Sequence, residues 1–166
     1  MLLKIEKQVY KIEALVISLS LLVIFLAITA QVLIRLIGMN SAGTAEIGMF
    51  GMSLLTFIGT PAIMYTKDHI TIEIAETIKS EKIHLLLDAL VTILILVFSV
   101  VFIQVVYNLF LFILESGEKT LELGLPVTIP IGSMVIGMGL LIFHSICDFA
   151  KLYKRYKNMN TASKEE

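Results

Sequence analysis

Four long apolar runs, at positions 14–37, 47–65, 85–114 and 127–149, take up most of this 166-residue chain and leave it few ways to fold. A helix rises 1.5 Å per residue and a bilayer's hydrocarbon core is about 30 Å thick, so roughly 20 apolar residues cross it. The first, second and fourth runs meet that length. The third would reach roughly 45 Å as one helix and is expected to tilt steeply or to project from the bilayer. Runs of this length exclude ordinary core strands. Composition agrees: 57% of residues are hydrophobic and 16% charged, against about 45–50% and about 25% in soluble domains. The expected fold is an all-α membrane protein, a single domain over 1–166 with four transmembrane helices and a basic tail at 150–166.

Lys4, Lys7 and Lys11 precede the first run as they would in a signal peptide, and Ala27-Ile28-Thr29-Ala30 supplies small residues. A signal core, however, takes about 7–15 residues, whereas this run continues through Gln31 to Ile37. The first helix is therefore expected to be retained. Basic residues also set the orientation. They gather before the first run, between the second and third (Lys67, Lys79, Lys82) and in the tail (Lys151, Lys154, Arg155, Lys157, Lys164). The two other connections hold only Arg35 and Lys119, the latter among Glu115, Glu118 and Glu122. Because positive segments stay inside, both termini and the 66–84 loop are expected in the cytoplasm. No nucleic-acid partner is expected.

Candidate chemistry is sparse. The single cysteine, Cys147, excludes an internal disulfide, and no Cys/His spacing resembles a zinc site. On a helix, His69 and Glu73 would share a face with Glu76, a spacing that suits a metal or, with Asp68, a catalytic group. The Ile70, Ile74 and Ile78 stripe, flanked by Lys79 and Lys82, fits a connector lying in the membrane interface better. Arg35 and Glu46 stand where they suit the dipoles of the first and second helices, and they could also pair across the hairpin. Asp88 and Asp148 lie near helix ends and read as shallow, solvated carboxylates. The central turns offer only mild polar groups such as Ser18, Ser53, Thr56, Ser99 and Gln104, so a self-sufficient ion-coupled carrier is not expected. Gly48, Gly51 and Gly59 on the second helix and Gly132 and Gly137 on the fourth mark faces for close helix packing. No cofactor, catalytic residue or metal ligand is expected.

These residues occur in an order that resembles the small membrane subunit of tripartite ATP-independent periplasmic (TRAP) transporters. Arg35 ends the first helix and Ala45-Glu46 opens the second. "TKDHITIE" follows, with His69, Ile70 and Glu73 at the matching positions. Leu87-Asp88 begins the third helix, and Gly124-Leu125-Pro126 with Ile129-Pro130-Ile131-Gly132 leads into the fourth. Thr44 stands where the family has Trp, and Ile47 where it has a second Glu. The resemblance implies a non-catalytic scaffold in a bacterial inner membrane, beside a large permease of elevator type. That permease would import organic acids of the dicarboxylate or sialic-acid type with sodium, delivered by a periplasmic binding protein. It implies that Arg35, Glu46, His69, Glu73, Asp88, Pro126 and Pro130 serve assembly, with no substrate-binding residue on this chain. The competing readings are an autonomous four-helix carrier acting as a dimer and a membrane enzyme built on Asp68, His69 and Glu73.

Overall fold

The computed structural model describes residues 2–66 and 81–162, and these form four helices. They are α1 (Leu2–Leu36), α2 (Ala42–Thr66), α3 (Glu81–Ser116) and α4 (Thr128–Ala162), each long and apolar enough to cross a membrane. At 35, 36 and 35 residues, α1, α3 and α4 are all longer than a bilayer core requires. The sequence singled out only the third. The first and fourth gain length from polar extensions at 2–13, with Lys and Glu, and at 150–162, with Lys and Arg, good helix formers that let the helix continue past the apolar run.

The helices pack as a row rather than a closed ring. α1 lies on α2, α2 on α4 and α4 on α3, while α1 and α4 meet only over a small area. The inner pair is accordingly the more enclosed: a third of the most apolar window of α4 is buried (33%), against 17% of that of α3. Met64, Met138 and Leu141 form the buried centre, with Phe57, Ile95, Phe102 and Ile103 packed around it. Large apolar side chains such as Phe25, Leu33, Leu94 and Phe112 point outwards, the inverse of a soluble protein and the expected surface of one dissolved in lipid.

Both tight ends are made by glycine. Gly38 has φ 76°, and its N–H reaches Arg35 O while that of Met39 reaches Ile34 O, a Schellman closure of α1. Gly117, φ 65°, closes α3 with one N–H bond to Ile113 O. Between α3 and α4 the chain folds back on itself. Lys119 and Pro126 form an isolated antiparallel bridge, and Thr120 N–H donates to Leu125 O at 2.8 Å.

The inner pair crosses very closely. A Cβ on Gly137 would stand 2.2 Å from the carbonyl oxygen of Phe57. That oxygen has no helical partner, because the residue four places on is Pro61, which carries no N–H. The proline frees a carbonyl, and the missing side chain of Gly137 lets α4 approach it. Towards the hairpin end Ser53 Oγ donates to Pro130 O at 3.1 Å and lies 2.9 Å from Ser133 Oγ, tying α2 to the first turn of α4. Gly51 admits Ile24 of α1, whose Cγ1 would be 2.8 Å from an added Cβ. Gly48 and Gly132 make ordinary contacts with Ala27 and Phe110, and Gly59 faces open space.

Candidate functional site: a loop clamp and a buried ionic cluster

The polar residues gather at the two ends of the row. At the hairpin end, Glu46 stands just past the first turn of α2 and is buried. Its Oε1 accepts the N–H of Glu122 at 2.8 Å and its Oε2 that of Leu123 at 2.9 Å. Two successive backbone N–H groups aimed at one carboxylate form an anion nest. A side chain from α2 therefore holds the connection between α3 and α4, across about half the chain. Thr120 Oγ1 takes the N–H of Leu125 at 2.9 Å and stiffens the same loop.

This arrangement decides between the two placements open to Arg35. No ion pair joins it to Glu46, whose oxygens are both engaged. Arg35 is exposed at the end of α1, beside a cleft lined by Gln31, Val32, Met39, Asn40 and Ser41. Pro126 sits in the strand-like bridge of the clamped loop. Pro130 lies in the first turn of α4, where its carbonyl accepts Ser53 and Ser133. Asp88 Oδ2 is 3.7 Å from Arg155 Nη1, half-exposed, between α3 and α4. His69 and Glu73 fall outside the described residues, as does most of the 66–84 loop.

At the other end, where the termini emerge, the sequence reading needs correction. Asp148 is 6% exposed rather than solvated, and it belongs to a cluster that includes Glu6, Glu13, His144 and Lys151, all but the lysine buried. Lys151 Nζ donates to Glu6 Oε1 at 2.6 Å and to Asp148 Oδ1 at 2.9 Å. His144 Nε2 lies 3.1 Å from Glu13 Oε1, and its Nδ1 is 3.5 Å from Glu6 Oε1. Tyr10 and Tyr65 stack at 4.4 Å beside them, with Tyr65 edge-on to His144 and beneath Lys151. If α4 enters the hydrocarbon at Thr128, His144 lies about 24 Å along it, inside a core of about 30 Å.

A signal for this cluster was present in the spacing. Glu6, Tyr10 and Glu13 are i, i+4 and i+7 on α1, and His144, Asp148 and Lys151 repeat that spacing on α4. Each set therefore lies on one helical face. What hid it was the assumption that helix ends are wet: here the polar extensions of two helices pack on each other and exclude water. Among the described residues, no three His, Cys, Asp or Glu side chains converge as a metal-ligand set.

One further polar feature lies on the outer side of the row. Gln104 and Asn108, one turn apart on α3, are both exposed, and their amides make no hydrogen bond within the described residues. They stand about 18 and 12 Å from the end of α3 at Ser116, within the depth of a bilayer.

No curated protein and no solved structure matches the chain. A family model does, that of the tripartite ATP-independent periplasmic transporters, DctQ component, over residues 24–155. The match spans Arg35, the Glu46 clamp, Asp88, the outward amides of α3 and the α4 half of the ionic cluster, and it leaves Glu6 and Glu13 outside. With a family match over most of its residues and four helices of membrane-spanning length, the chain belongs to the DctQ family, the small multi-pass membrane component of TRAP transporters.

Proposed function

We propose that this chain is a scaffold subunit that does not itself carry substrate. It holds a large sodium-coupled permease at fixed depth in a bacterial inner membrane, while a periplasmic binding protein delivers organic acids to that partner. Both termini face the cytoplasm in this reading, as the lysine distribution requires. The observation that carries the proposal is the pair of unpartnered amides on the least enclosed helix. Amides facing hydrocarbon are costly unless another protein group meets them, and membrane helices use such groups, together with close packing, to associate. An open row of helices with an apolar outer face and two amides in it suits attachment along the side of a larger membrane protein. The Glu46 clamp supports the same reading, since it makes the α3–α4 hairpin a stiff unit.

A native-membrane preparation of the tagged chain in mild detergent should retain the large subunit at close to one-to-one. Interhelical hydrogen bonds in membranes contribute about 0.6–2 kcal/mol each. Gln104→Leu with Asn108→Leu should therefore lower recovery of the partner about tenfold, leave the isolated chain folded, and leave the sodium stoichiometry of the remaining transport unchanged. Undiminished recovery would remove α3 as the attachment face.

The buried ionic cluster favours one second reading, the autonomous carrier, because carriers keep ionisable groups inside the membrane. Uptake by the purified chain alone in liposomes would establish it. The cluster lies at one end of the row, and the buried carboxylate at the other end, Glu46, is fully engaged by loop N–H groups. That arrangement suits a structural tie better than a conduction path.

A further inference from the structure

We propose that Glu6, Glu13 and His144 form a proton-binding site in the seam between α1 and α4, and that the bound proton latches the N-terminal half of α1 onto α4. A neutral imidazole has one N–H and one bare lone pair. In this cluster both ring nitrogens face carboxylate oxygens, Nε2 towards Glu13 at 3.1 Å and Nδ1 towards Glu6 at 3.5 Å. With a neutral ring and ionised carboxylates, one lone pair would point at a negative oxygen in a buried site, where charges are weakly screened. One added proton, on the ring or shared with Glu13, makes both contacts attractive.

The charge balance points the same way. Without that proton, three carboxylates (Glu6, Glu13 and Asp148) face one cation, Lys151; with it, the deficit is halved. The ion pairs of Lys151 go to Glu6 and Asp148, and none reaches Glu13. Among the described residues Glu13 Oε2 and His144 Nδ1 are buried without hydrogen-bond partners, and none of those residues offers the pair another source of compensation. Among the described residues the surroundings add no other charge: α2 brings Tyr65, α1 brings Tyr10, and α4 brings Cys147 beside Asp148. The pair Asp88–Arg155 belongs to the neighbouring seam, between α3 and α4.

The site is placed to act as a latch. α1 packs along α2 but meets α4 over a small area, and the cluster spans that area from both sides. Glu6 and Glu13 lie before the family-matched region, which begins at residue 24, whereas His144, Asp148 and Lys151 lie within it. The device thus joins a helix inside the matched region to a part of α1 that precedes it. The linkage has one sign: the latched form holds the extra proton, so it is favoured at low pH and weakens as pH rises. The end of the row that carries the termini thereby responds to the pH of the compartment it faces.

The test is backbone hydrogen exchange of the full chain in lipid nanodiscs at about pH 6 and about pH 9, with each rate divided by its intrinsic value at that pH. One linked proton changes an equilibrium by up to about tenfold per pH unit. Protection of the amides from Glu6 to Glu13 should therefore fall at least about tenfold across the interval, while α2 and the first two turns of α4, remote from His144, stay unchanged. His144→Gln should be poorly protected at both pH values, because it leaves the carboxylates facing one lysine. The double variant Glu13→Gln with His144→Gln removes a charge from each side and should regain protection with no pH dependence. Wild-type protection that does not change with pH overturns the proposal. So does a pH step that survives in the double variant, whether or not His144→Gln alone folds.

Discussion

Gly137→Ala is expected to cost the isolated chain about 3 kcal/mol, far more than one methyl group usually does. Overpacking a core costs about 1–3 kcal/mol because side chains must leave their rotamers. Here the obstacle is backbone: the new Cβ would stand 2.2 Å from Phe57 O and 2.7 Å from its carbonyl carbon. Neither can turn aside, so α4 must move away from α2, and the Met64, Met138 and Leu141 centre opens with it. Gly59→Ala is the matched control. Nothing lies within 4 Å of its added Cβ, and replacing a helical glycine by alanine contributes up to about 1 kcal/mol. Thermal unfolding of the two purified variants, followed by loss of the monodisperse species in size-exclusion chromatography, makes the comparison. Equal stability of Gly137→Ala and wild type would mean that the close crossing of α2 and α4 is not real.

The second large effect is expected at Glu46. A hydrogen bond to a charged group contributes about 1.5–3 kcal/mol, and Glu46 accepts two from backbone N–H groups. Glu46→Gln keeps the shape but turns one amide N–H₂ towards a backbone donor, so it should lose roughly 3 kcal/mol of the restraint on the 117–127 loop. The readout is exchange of the Glu122 and Leu123 amides, expected to accelerate about a hundredfold, equivalent to roughly 2.7 kcal/mol. A double-mutant cycle with Arg35→Ala separates the two accounts of Glu46. Since its oxygens are engaged by the loop, coupling to Arg35 should stay below about 0.5 kcal/mol, the range of independent sites. Coupling above about 1 kcal/mol would restore the hairpin ion pair that the spacing of the two residues suggests.

The fate of single residues shows how far the sequence could be read. The four apolar runs identified the helices because crossing hydrocarbon demands a length that no other element supplies. Arg35, Ala45-Glu46, Asp88 and the Gly-Leu-Pro approach to α4 carried the family resemblance because each sits at a helix end, where local sequence controls geometry. Glu46 itself shows the limit. Its place near the start of α2 was legible, but its partners were not: they are backbone N–H groups 76 and 77 residues away, and backbone donors leave no mark in a sequence. Among the glycines marked for packing, only the crossing geometry separates Gly137, pressed against a carbonyl, from Gly59, which meets nothing.

By itself, then, the sequence determined the number of helices, their membrane character and the family, because hydrophobic length and end signals are local properties of the chain. The tertiary structure alone decided the row order of the helices, the meeting of Gly137 with the carbonyl freed by Pro61, and the burial of Glu6, Glu13, His144 and Asp148. Those depend on which faces of distant segments come together. For the ionic cluster the consequence is chemical as well as structural: a carboxylate near a helix end is unremarkable in water, and becomes a proton site once a second helix takes the water's place.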